Sequence, residues 1–376
     1  MNYKQKIIRN LVNIPGWHTT RKIVVIESDD WGAIRTPSID KLNYLLKKDV
    51  EFDLNMGFDN FDTIASSEDL ENLFEVLDSV KDINNNAAKI TANCVVANPN
   101  FQKIKESGYT EYHYEVITDT LNRYYPQSNP FLLWKEGVSN GIFHPQFHGR
   151  EHLNFQLWLR LLQQKELSSK LSFEEGVFSM LIKSPKGKDN ILAAYDYHDK
   201  KEQYLIKESI AQGLNIFHNL FGFQSLSAIA PRYVWDDFIE ECYAESGVKY
   251  IQGVMSQINS SYAQEQGRKR IRYHYLGRKN RLNQYYIVRN AFFEPSTNPT
   301  FNYVDDCLQR MKTIFLWKKP VVISAHRLNF IGTLNKKNRD NNLKLFSTLL
   351  KSIVKTWSDV EFMTTDQLGN LMSKNV

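Results

Sequence analysis

Short apolar runs that end in ionisable residues constrain the fold of this chain more than any other feature. Residues 22–28 read KIVVIES and lead directly into Asp29 and Asp30, and residues 321–325 read VVISA and lead into His326. Runs of this length, rich in β-branched residues, are typical of buried strands. The chemically unusual side chains therefore stand at the ends of predicted strands.

Amphipathic helical patterns separate the strand-like runs, for example over residues 67–81, 151–164 and 200–220. This alternation of strands and helices indicates a parallel sheet with crossover helices. In a (β/α) barrel the carboxyl ends of the strands converge on one face, where active sites are built. We therefore predict an α/β fold whose ionisable strand ends lie close together.

The length of the chain suits either two ordinary domains or one enlarged barrel. Of its 376 residues 42% are hydrophobic and 24% are charged, which is ordinary for a globular protein. The three cysteines stand too far apart for a disulfide framework or a zinc finger. Because the ionisable strand ends span most of the chain, we predict a single catalytic unit over 17–372, with helical insertions near 40–85 and 155–222.

The net charge of +5 does not argue for a nucleic-acid partner, because acidic and basic residues are interspersed through most of the chain. Seven cations nevertheless lie within residues 268–281, with no acidic residue among them. We expect no nucleic acid to bind, and we expect this basic stretch to contact phosphate groups or an anionic membrane surface. An ordinary solvated loop is the alternative.

The sequence contains no window of about 18 apolar residues that could span a membrane. Residues 1–17 also lack the apolar core of a signal peptide. The expected location is therefore the cytoplasm, with peripheral contact at the inner face of the membrane as a further expectation.

Three histidines, His144, His148 and His152, repeat at intervals of four residues. Residues four apart share one face of a helix and can share a metal ion, although a proline and a glycine between them argue against one regular helix. With Asp29 and Asp30 they suit a divalent cation such as Zn²⁺, Co²⁺, Ni²⁺ or Fe²⁺. We predict a metal site with positions open to water and substrate; a polar surface loop is the alternative.

Other strand-end residues are candidates for proton transfer. Neighbouring side chains of an extended chain point apart, so one of Asp29 and Asp30 can ligate a metal while the other faces a water. His326 could donate a proton to a leaving group near neutral pH. Arg232, within APRYVW, could orient the base carboxylate or hold an anion. A turn residue, a structural histidine and an ordinary salt bridge are the respective alternatives.

Four motifs occur in the order found in polysaccharide deacetylases, carbohydrate esterase family 4, which this chain resembles. The motifs are ESDDWG (27–32), HGREH (148–152), APRYVW (230–235) and SAHRLNF (324–330). The resemblance is to a remote, biosynthesis-associated branch. It implies a distorted (β/α) barrel of that type and metal-dependent hydrolysis of an N- or O-acyl group, acetyl above all, from a sugar.

The resemblance also implies catalytic roles. Asp29 matches the general base, His326 matches the general acid, and Arg232 matches the arginine that orients the base.

The metal ligands follow from the same resemblance. Asp30 matches the metal-ligand aspartate, and His148 and His152 match the two metal histidines. The family usually has Ser or Thr after the first of these histidines, whereas Gly149 stands here, so His144 with His148 stays open as the alternative ligand pair. Zn²⁺ is the expected ion.

A further group of residues near the predicted face is expected to bind the substrate. Aromatic rings stack on sugar faces, with core packing as the alternative for each. An arginine after the last histidine departs from the family pattern and could bind an acidic or phosphorylated substrate. The expected substrate-binding residues are Trp31, His144, Tyr233, Trp235 and Arg327.

The expected substrate is an acylated sugar, a glycolipid or a nucleotide-sugar, used in the assembly of a surface polysaccharide or glycolipid. Three alternatives stay open. One is a metal hydrolase of a non-sugar amide on the same barrel, and another is an inactive carbohydrate-binding relative. The third is a non-enzymatic nucleic-acid binder that would use residues 268–281.

Overall fold

Nine strands of one parallel sheet organise the part of the chain that the computed structural model describes, residues 3–184 and 187–374. In chain order, all strands of the described residues are β1 (Lys22–Trp31), β2 (Ile90–Cys94), β3 (Ala97–Pro99), β4 (Tyr114–Val116), β5 (Phe143–Phe147), β6 (Leu181–Ser184), β7 (Gly187–Asn190), β8 (Ser227–Ile229), β9 (Tyr250–Gly253), β10 (Ser256–Ile258), β11 (Ile271–Tyr273), β12 (Tyr285–Val288), β13 (Ala291–Phe292), β14 (Val321–His326) and β15 (Val360–Met363). Three separate antiparallel pairs of these strands, β3-β4, β6-β7 and β10-β11, lie outside the nine-stranded sheet.

Helices connect these strands and cover the sheet. They are α1 (Tyr3–Leu11), α2 (Ile39–Lys47), α3 (Phe58–Phe61), α4 (Ser67–Asp78), α5 (Phe101–Glu106), α6 (Ile117–Tyr124), α7 (Pro130–Ser139), α8 (Phe155–Gln163), α9 (Leu167–Glu174), α10 (Gln203–Phe221), α11 (Asp237–Glu245), α12 (Ser261–Glu265), α13 (Tyr303–Leu316), α14 (Lys336–Thr356) and α15 (Thr365–Lys374). Among the helices of the described chain, none combines the length and apolarity needed to cross a bilayer.

The order of strands across the sheet is that of a barrel opened at one seam. The order is β12-β9-β8-β5-β2-β1-β14-β13, so the strands follow one another around the sheet almost as they do along the chain. β15 pairs with the first half of β1, while β2 pairs with the second half. Within the described residues no ladder joins β12 to β13. The predicted α/β fold, a distorted (β/α) barrel with helical insertions, is confirmed.

Two hydrophobic clusters stabilise this arrangement. The larger one surrounds the sheet, and β1 is buried along nearly its whole length, as the KIVVIES run predicts. The second cluster joins the two predicted insertions, because Leu42 and Leu45 of α2 pack together with Trp158 of α8 and Phe173 of α9. The segment 40–85 contains α2, α3 and α4, and the later insertion adds a β6–β7 hairpin to its helices. The limits of the single unit stay a prediction.

Helix ends follow the local sequence. α4 begins at a capping box in which the Ser66 hydroxyl accepts from the Asp69 backbone N–H and the Asp69 carboxylate accepts from the Ser66 N–H. α10 ends at Gly222, whose φ of 77° is the left-handed conformation that glycine tolerates best. These signals bound the helices that hold the sheet from outside.

Candidate metal centre and catalytic residues

Carboxyl ends of neighbouring parallel strands bring the ionisable residues of the first and last motifs together. Asp29 of β1 pairs in register with His326 of β14. His148 directly follows β5, two strands away from β1 in the sheet. The strand-end argument from the sequence therefore correctly predicts that these side chains share one face.

Asp30, His148 and His152 form a group that could hold a metal ion. Each of them places one ligand atom within 4.8 Å of the ligand atoms of the other two, and all three residues are buried. Nε2 of His148 lies 3.2 Å and Nε2 of His152 lies 3.5 Å from Oδ1 of Asp30. Nδ1 of His148 lies 3.0 Å from the carbonyl oxygen of Ile229. That nitrogen donates its proton, which leaves Nε2 free to ligate a cation.

The protonation states of this group also suit a cation. Burial lowers the pKa of His152 to about 3, so its ring is neutral at neutral pH. Burial alone would raise the pKa of Asp30, but its interactions with His148, His152 and His326 hold it well below its ordinary value. Within the described chain, Nδ1 of His152 is buried without a hydrogen-bond partner. A carboxylate and two imidazoles are a donor set that a divalent transition metal binds.

A local break in β1 separates the two neighbouring aspartates. The ladder between β1 and β2 shifts register between Ser28 and Trp31, and Asp30 adopts a φ of 73°. A bulge of this kind re-aims a side chain, and aspartate tolerates the left-handed conformation better than most residues. Asp30 consequently contacts the histidines, whereas Asp29 contacts a different set of residues.

Asp29 is held by Arg289, which the sequence analysis did not single out. Nη1 and Nη2 of Arg289 each donate to one oxygen of Asp29 at 2.6 Å, and Nε donates to Glu27 at 2.6 Å. Nδ2 of Asn93 also donates to the Asp29 carboxylate, at 2.8 Å. Burial would raise the pKa of Asp29, but the charge and hydrogen bonds of Arg289 lower it to about 2. Asp29 is therefore an oriented carboxylate.

The prediction that Arg232 orients Asp29 is wrong. Arg232 is exposed, and it and Tyr233 both adopt left-handed φ angles, 58° and 56°, in a short turn after β8. The turn directs the Tyr233 side chain, and not that of Arg232, toward the site: the Tyr233 hydroxyl accepts from Nη1 of Arg289 at 3.1 Å. A signal for Arg289 existed, because it directly follows the apolar strand β12 just as the other site residues follow theirs.

His326 is paired with Glu294, a second residue that the sequence analysis missed. Nδ1 of His326 lies 2.6 Å from Oε1 of Glu294, and Nε2 lies 3.7 Å from Oδ2 of Asp29. Burial would lower the pKa of His326, but the charge and hydrogen bond of Glu294 and the charge of Asp29 raise it to about 9. The edge of the Phe58 ring packs against the imidazole. Glu294 stands two residues after β13, so the strand-end rule could have identified it.

Both tryptophans predicted to bind the substrate are core residues. Trp31 is buried, donates from Nε1 to Ser28, and packs edge-on against Phe143. Trp235 is also buried and stacks on His274. The prediction fails for both residues because a strand-end position can point into the packing around the barrel as well as into the site. Of the predicted aromatic rings, Tyr233 lies beside Arg289, and its contact with substrate stays a prediction.

His144 and Arg327 are likewise not placed to bind the substrate. His144 lies within β5 rather than after it, its ring stacks on Phe223, and its Nε2 lies 3.2 Å from Asp366. It therefore lies outside the group of possible ligands, so the alternative pair of His144 with His148 is wrong. Arg327 is fully buried and donates two hydrogen bonds of 3.0 Å to Asp62. The guanidinium of Arg327, which was expected to bind an anionic substrate, is thus paired with the Asp62 carboxylate instead.

Replacing the arginine of this site should destabilise the fold. In Arg289→Met the buried carboxylates of Asp29 and Glu27 lose their shared cation, and we expect the free energy of unfolding to fall by about 3–5 kcal/mol. The matched variant Arg232→Met removes an exposed guanidinium and should change the free energy of unfolding by less than about 0.5 kcal/mol. Urea unfolding of both variants measures the difference. Equal stability of the two variants would contradict the assignment.

Comparisons with known proteins give similarity to solved structures alone. No family model matches the chain, and no curated protein is a significant match. The chain is similar to a 4-alpha-glucanotransferase from Thermococcus litoralis, at 8% identity and a TM-score of 0.44, over 92% of this chain and 40% of that one. It is also similar to a CE4 family pseudoenzyme from Bacillus anthracis, at 9% identity and a TM-score of 0.41, over 93% of this chain and 66% of that one. With PuuE allantoinase the identity is 11% and the TM-score is 0.44, over 95% of this chain and 93% of that one.

Proposed function

We propose that this chain is a metal-dependent hydrolase that removes an N- or O-acyl group, acetyl above all, from a sugar. The observation that carries the proposal is the group of Asp30, His148 and His152 next to the oriented carboxylate of Asp29 and the imidazole of His326. The substrate class rests on the resemblance of four sequence motifs to those of polysaccharide deacetylases. The proposal includes a role in the assembly of a surface polysaccharide or glycolipid.

The metal would be held by Asp30, His148 and His152, with Zn²⁺ as the expected ion and Co²⁺, Ni²⁺ or Fe²⁺ as alternatives. A divalent cation in such a site polarises the acyl carbonyl and makes a water molecule more acidic. The hydrogen bond between Nδ1 of His148 and the carbonyl of Ile229 fixes the ring of one ligand for this purpose.

Asp29 is proposed as the general base. Its two oxygens are fixed by Arg289, so the carboxylate stays ionised and cannot rotate away from the face it shares with His326. In that position it can accept the proton of an attacking water, which becomes the new oxygen of the released acid.

His326 is proposed as the general acid. Its pKa of about 9 keeps the imidazole protonated at neutral pH. Glu294 binds Nδ1, so the proton available for transfer is the one on Nε2, which points toward Asp29. That proton would go to the departing amine or alkoxide as the bond to the acyl carbon breaks.

Removing the charge of Glu294 should shift the pH profile of the reaction. Because the acid must be protonated, activity is expected to fall as the pH rises through the pKa of His326. In Glu294→Gln the imidazole loses the negative charge that raises its pKa, so the alkaline limb of kcat/KM should move from about pH 9 toward lower pH. Glu265→Gln, which breaks an exposed pair with His198, is the matched control and should leave the profile unchanged. An unshifted alkaline limb in Glu294→Gln would remove His326 from the acid role.

A second candidate function is hydrolysis of a non-sugar amide at the same centre. The burial of Trp31 and Trp235 favours it, because two of the aromatic rings expected to stack on a sugar face the core instead. Measuring acetate or formate release from acylated aminosugars and from linear amides of the same acids separates the two functions. Release from the linear amides alone would replace the sugar with a non-sugar substrate, and release from neither would favour an inactive relative.

A further inference from the structure

The N-terminal helix α1 presents apolar side chains to solvent. Ile8 and Leu11 are 48% and 56% exposed, and Ile14, just after the helix, is 47% exposed. The opposite side of the helix is attached to the barrel, because Arg9 forms an ion pair with Asp306 of α13. Helices with one apolar and exposed side are typical of interfacial segments.

Strand β11 exposes a second apolar row. Ile271, Tyr273 and Tyr275 are exposed, while His274 and Leu276 between and after them are buried. This alternation is that of a strand with one face on the core, except that the solvent face carries large apolar and aromatic side chains. Aromatic residues with a polar tip are enriched where an apolar and an aqueous phase meet.

Direct contacts join the residues that follow α1 to those that follow β11. The N–H of Trp17 donates to the carbonyl of Leu276 at 2.9 Å, and an added Cβ at Gly16 would stand 3.1 Å from the Tyr275 ring. The last residue of α13, Leu316, is 76% exposed, and its neighbour Trp317 donates to Asn10. The apolar face is defined here as Ile8, Leu11, Ile14, Tyr273, Tyr275 and Leu316.

Exposed cations stand close in sequence to residues of the apolar face. Arg268, Lys269 and Arg270 immediately precede β11, Lys4 lies on α1, and Lys318 follows α13. Some cations of the basic stretch pair with acidic residues of the barrel: Arg272 donates to Asp237 at 2.7 Å, and Arg281 pairs with Glu241. Arg268 also lies 3.7 Å from Asp237 but stays 71% exposed. The basic stretch thus divides into anchoring residues and residues that remain exposed beside the apolar face.

We propose that the apolar face and its bordering cations bind the surface of an anionic lipid bilayer. Apolar side chains of α1 would enter the boundary between headgroups and acyl chains, the tyrosines would lie at headgroup level, and the cations would contact lipid phosphates. A second copy of the chain fits less well. In a two-fold dimer the face would meet itself and bring the bordering cations of both copies together.

Sedimentation with lipid vesicles tests this proposal on the full chain. We expect the protein to sediment with vesicles of phosphatidylcholine mixed with phosphatidylglycerol, to bind vesicles of phosphatidylcholine alone more weakly, and to dissociate as salt rises. The double variant K269E/R270E should bind at least about twenty-five-fold more weakly, at about fivefold per lost cation. Leu11→Gln should bind about tenfold more weakly. These side chains are exposed, so their replacement should leave the fold intact.

Leu167→Gln is the matched control, because Leu167 is 68% exposed on α9, outside the apolar face. It should bind vesicles as the unmodified chain does. Absence of sedimentation with the anionic vesicles would overturn the proposal, and so would equal losses in Leu11→Gln and Leu167→Gln. A dimer that Leu11→Gln dissociates, found by light scattering without vesicle binding, would assign the face to a second copy.

Discussion

Asp29→Asn is expected to lower kcat by about 10²–10⁴-fold while the bound metal stays in place. Asparagine keeps the size of the side chain but cannot accept a proton from water. The metal should stay because the ligand atoms belong to Asp30, His148 and His152 rather than to Asp29. Steady-state kinetics together with the metal content of the purified variant measure both parts of the prediction.

The control for this variant is Asp305→Asn, which neutralises an exposed carboxylate on α13 and should leave kcat unchanged. Full activity of Asp29→Asn would remove Asp29 from the role of base. Loss of metal from the same variant would show that Asp29 belongs to the ligand set, contrary to its contacts with Arg289.

His148→Ala should lose the metal ion, and His152→Ala should do the same. Each variant removes one of three donors from a group whose ligand atoms lie within 4.8 Å of one another. Because a bound ion stabilises the native state, addition of Zn²⁺ should raise the Tm of the unmodified chain and should have little effect on either variant. Elemental analysis and thermal unfolding with and without Zn²⁺ provide the two measurements.

His144→Ala is the matched control for these variants, since His144 belongs to the same four-residue repeat but pairs with Asp366. It should retain the metal and the Zn²⁺-dependent rise in Tm. Metal retained in His148→Ala, or lost to the same degree in His144→Ala, would contradict the ligand assignment.

The fold and the convergence of the candidate metal ligands were predictable because both depend on one geometric rule. Buried strands are recognised by β-branched runs, and parallel strands place their carboxyl ends on one face. The positions of the strand ends predicted that an aspartate and some of the histidines would meet, and the resemblance to polysaccharide deacetylases selected Asp30, His148 and His152, which the structure brings together.

The direction of individual side chains was not predictable in the same way. Arg232 and Arg289 both follow strands, but two successive left-handed residues turn the first away, and the sequence has no signal for that turn. The repeat of histidines suggested that His144 is equivalent to the others. However, β5 continues through Phe147, so His144 belongs to the strand itself and pairs with Asp366 rather than with the ligand group.

Packing explains why Trp31 and Arg327 are not placed as the sequence predicted. Trp31 directly follows Asp30 in the sequence, but its ring packs against Phe143 and Trp134. Burial of its large aromatic surface there is favourable. Arg327 is buried against Asp62, a residue of the first insertion that is distant in sequence. Contacts of this kind depend on how the insertions fold over the barrel, which residue spacing does not encode.

The central claim is that Asp30, His148 and His152 hold one divalent ion that the chain uses to hydrolyse an acylated sugar. Acetate release from N- and O-acetylated sugars by the full chain, measured before and after removal of metal with a chelator, tests it most directly. We expect release that disappears on chelation and returns when Zn²⁺ is added back. Release that persists after complete removal of metal, or no release from any acylated sugar by the Zn²⁺-loaded protein, would contradict it.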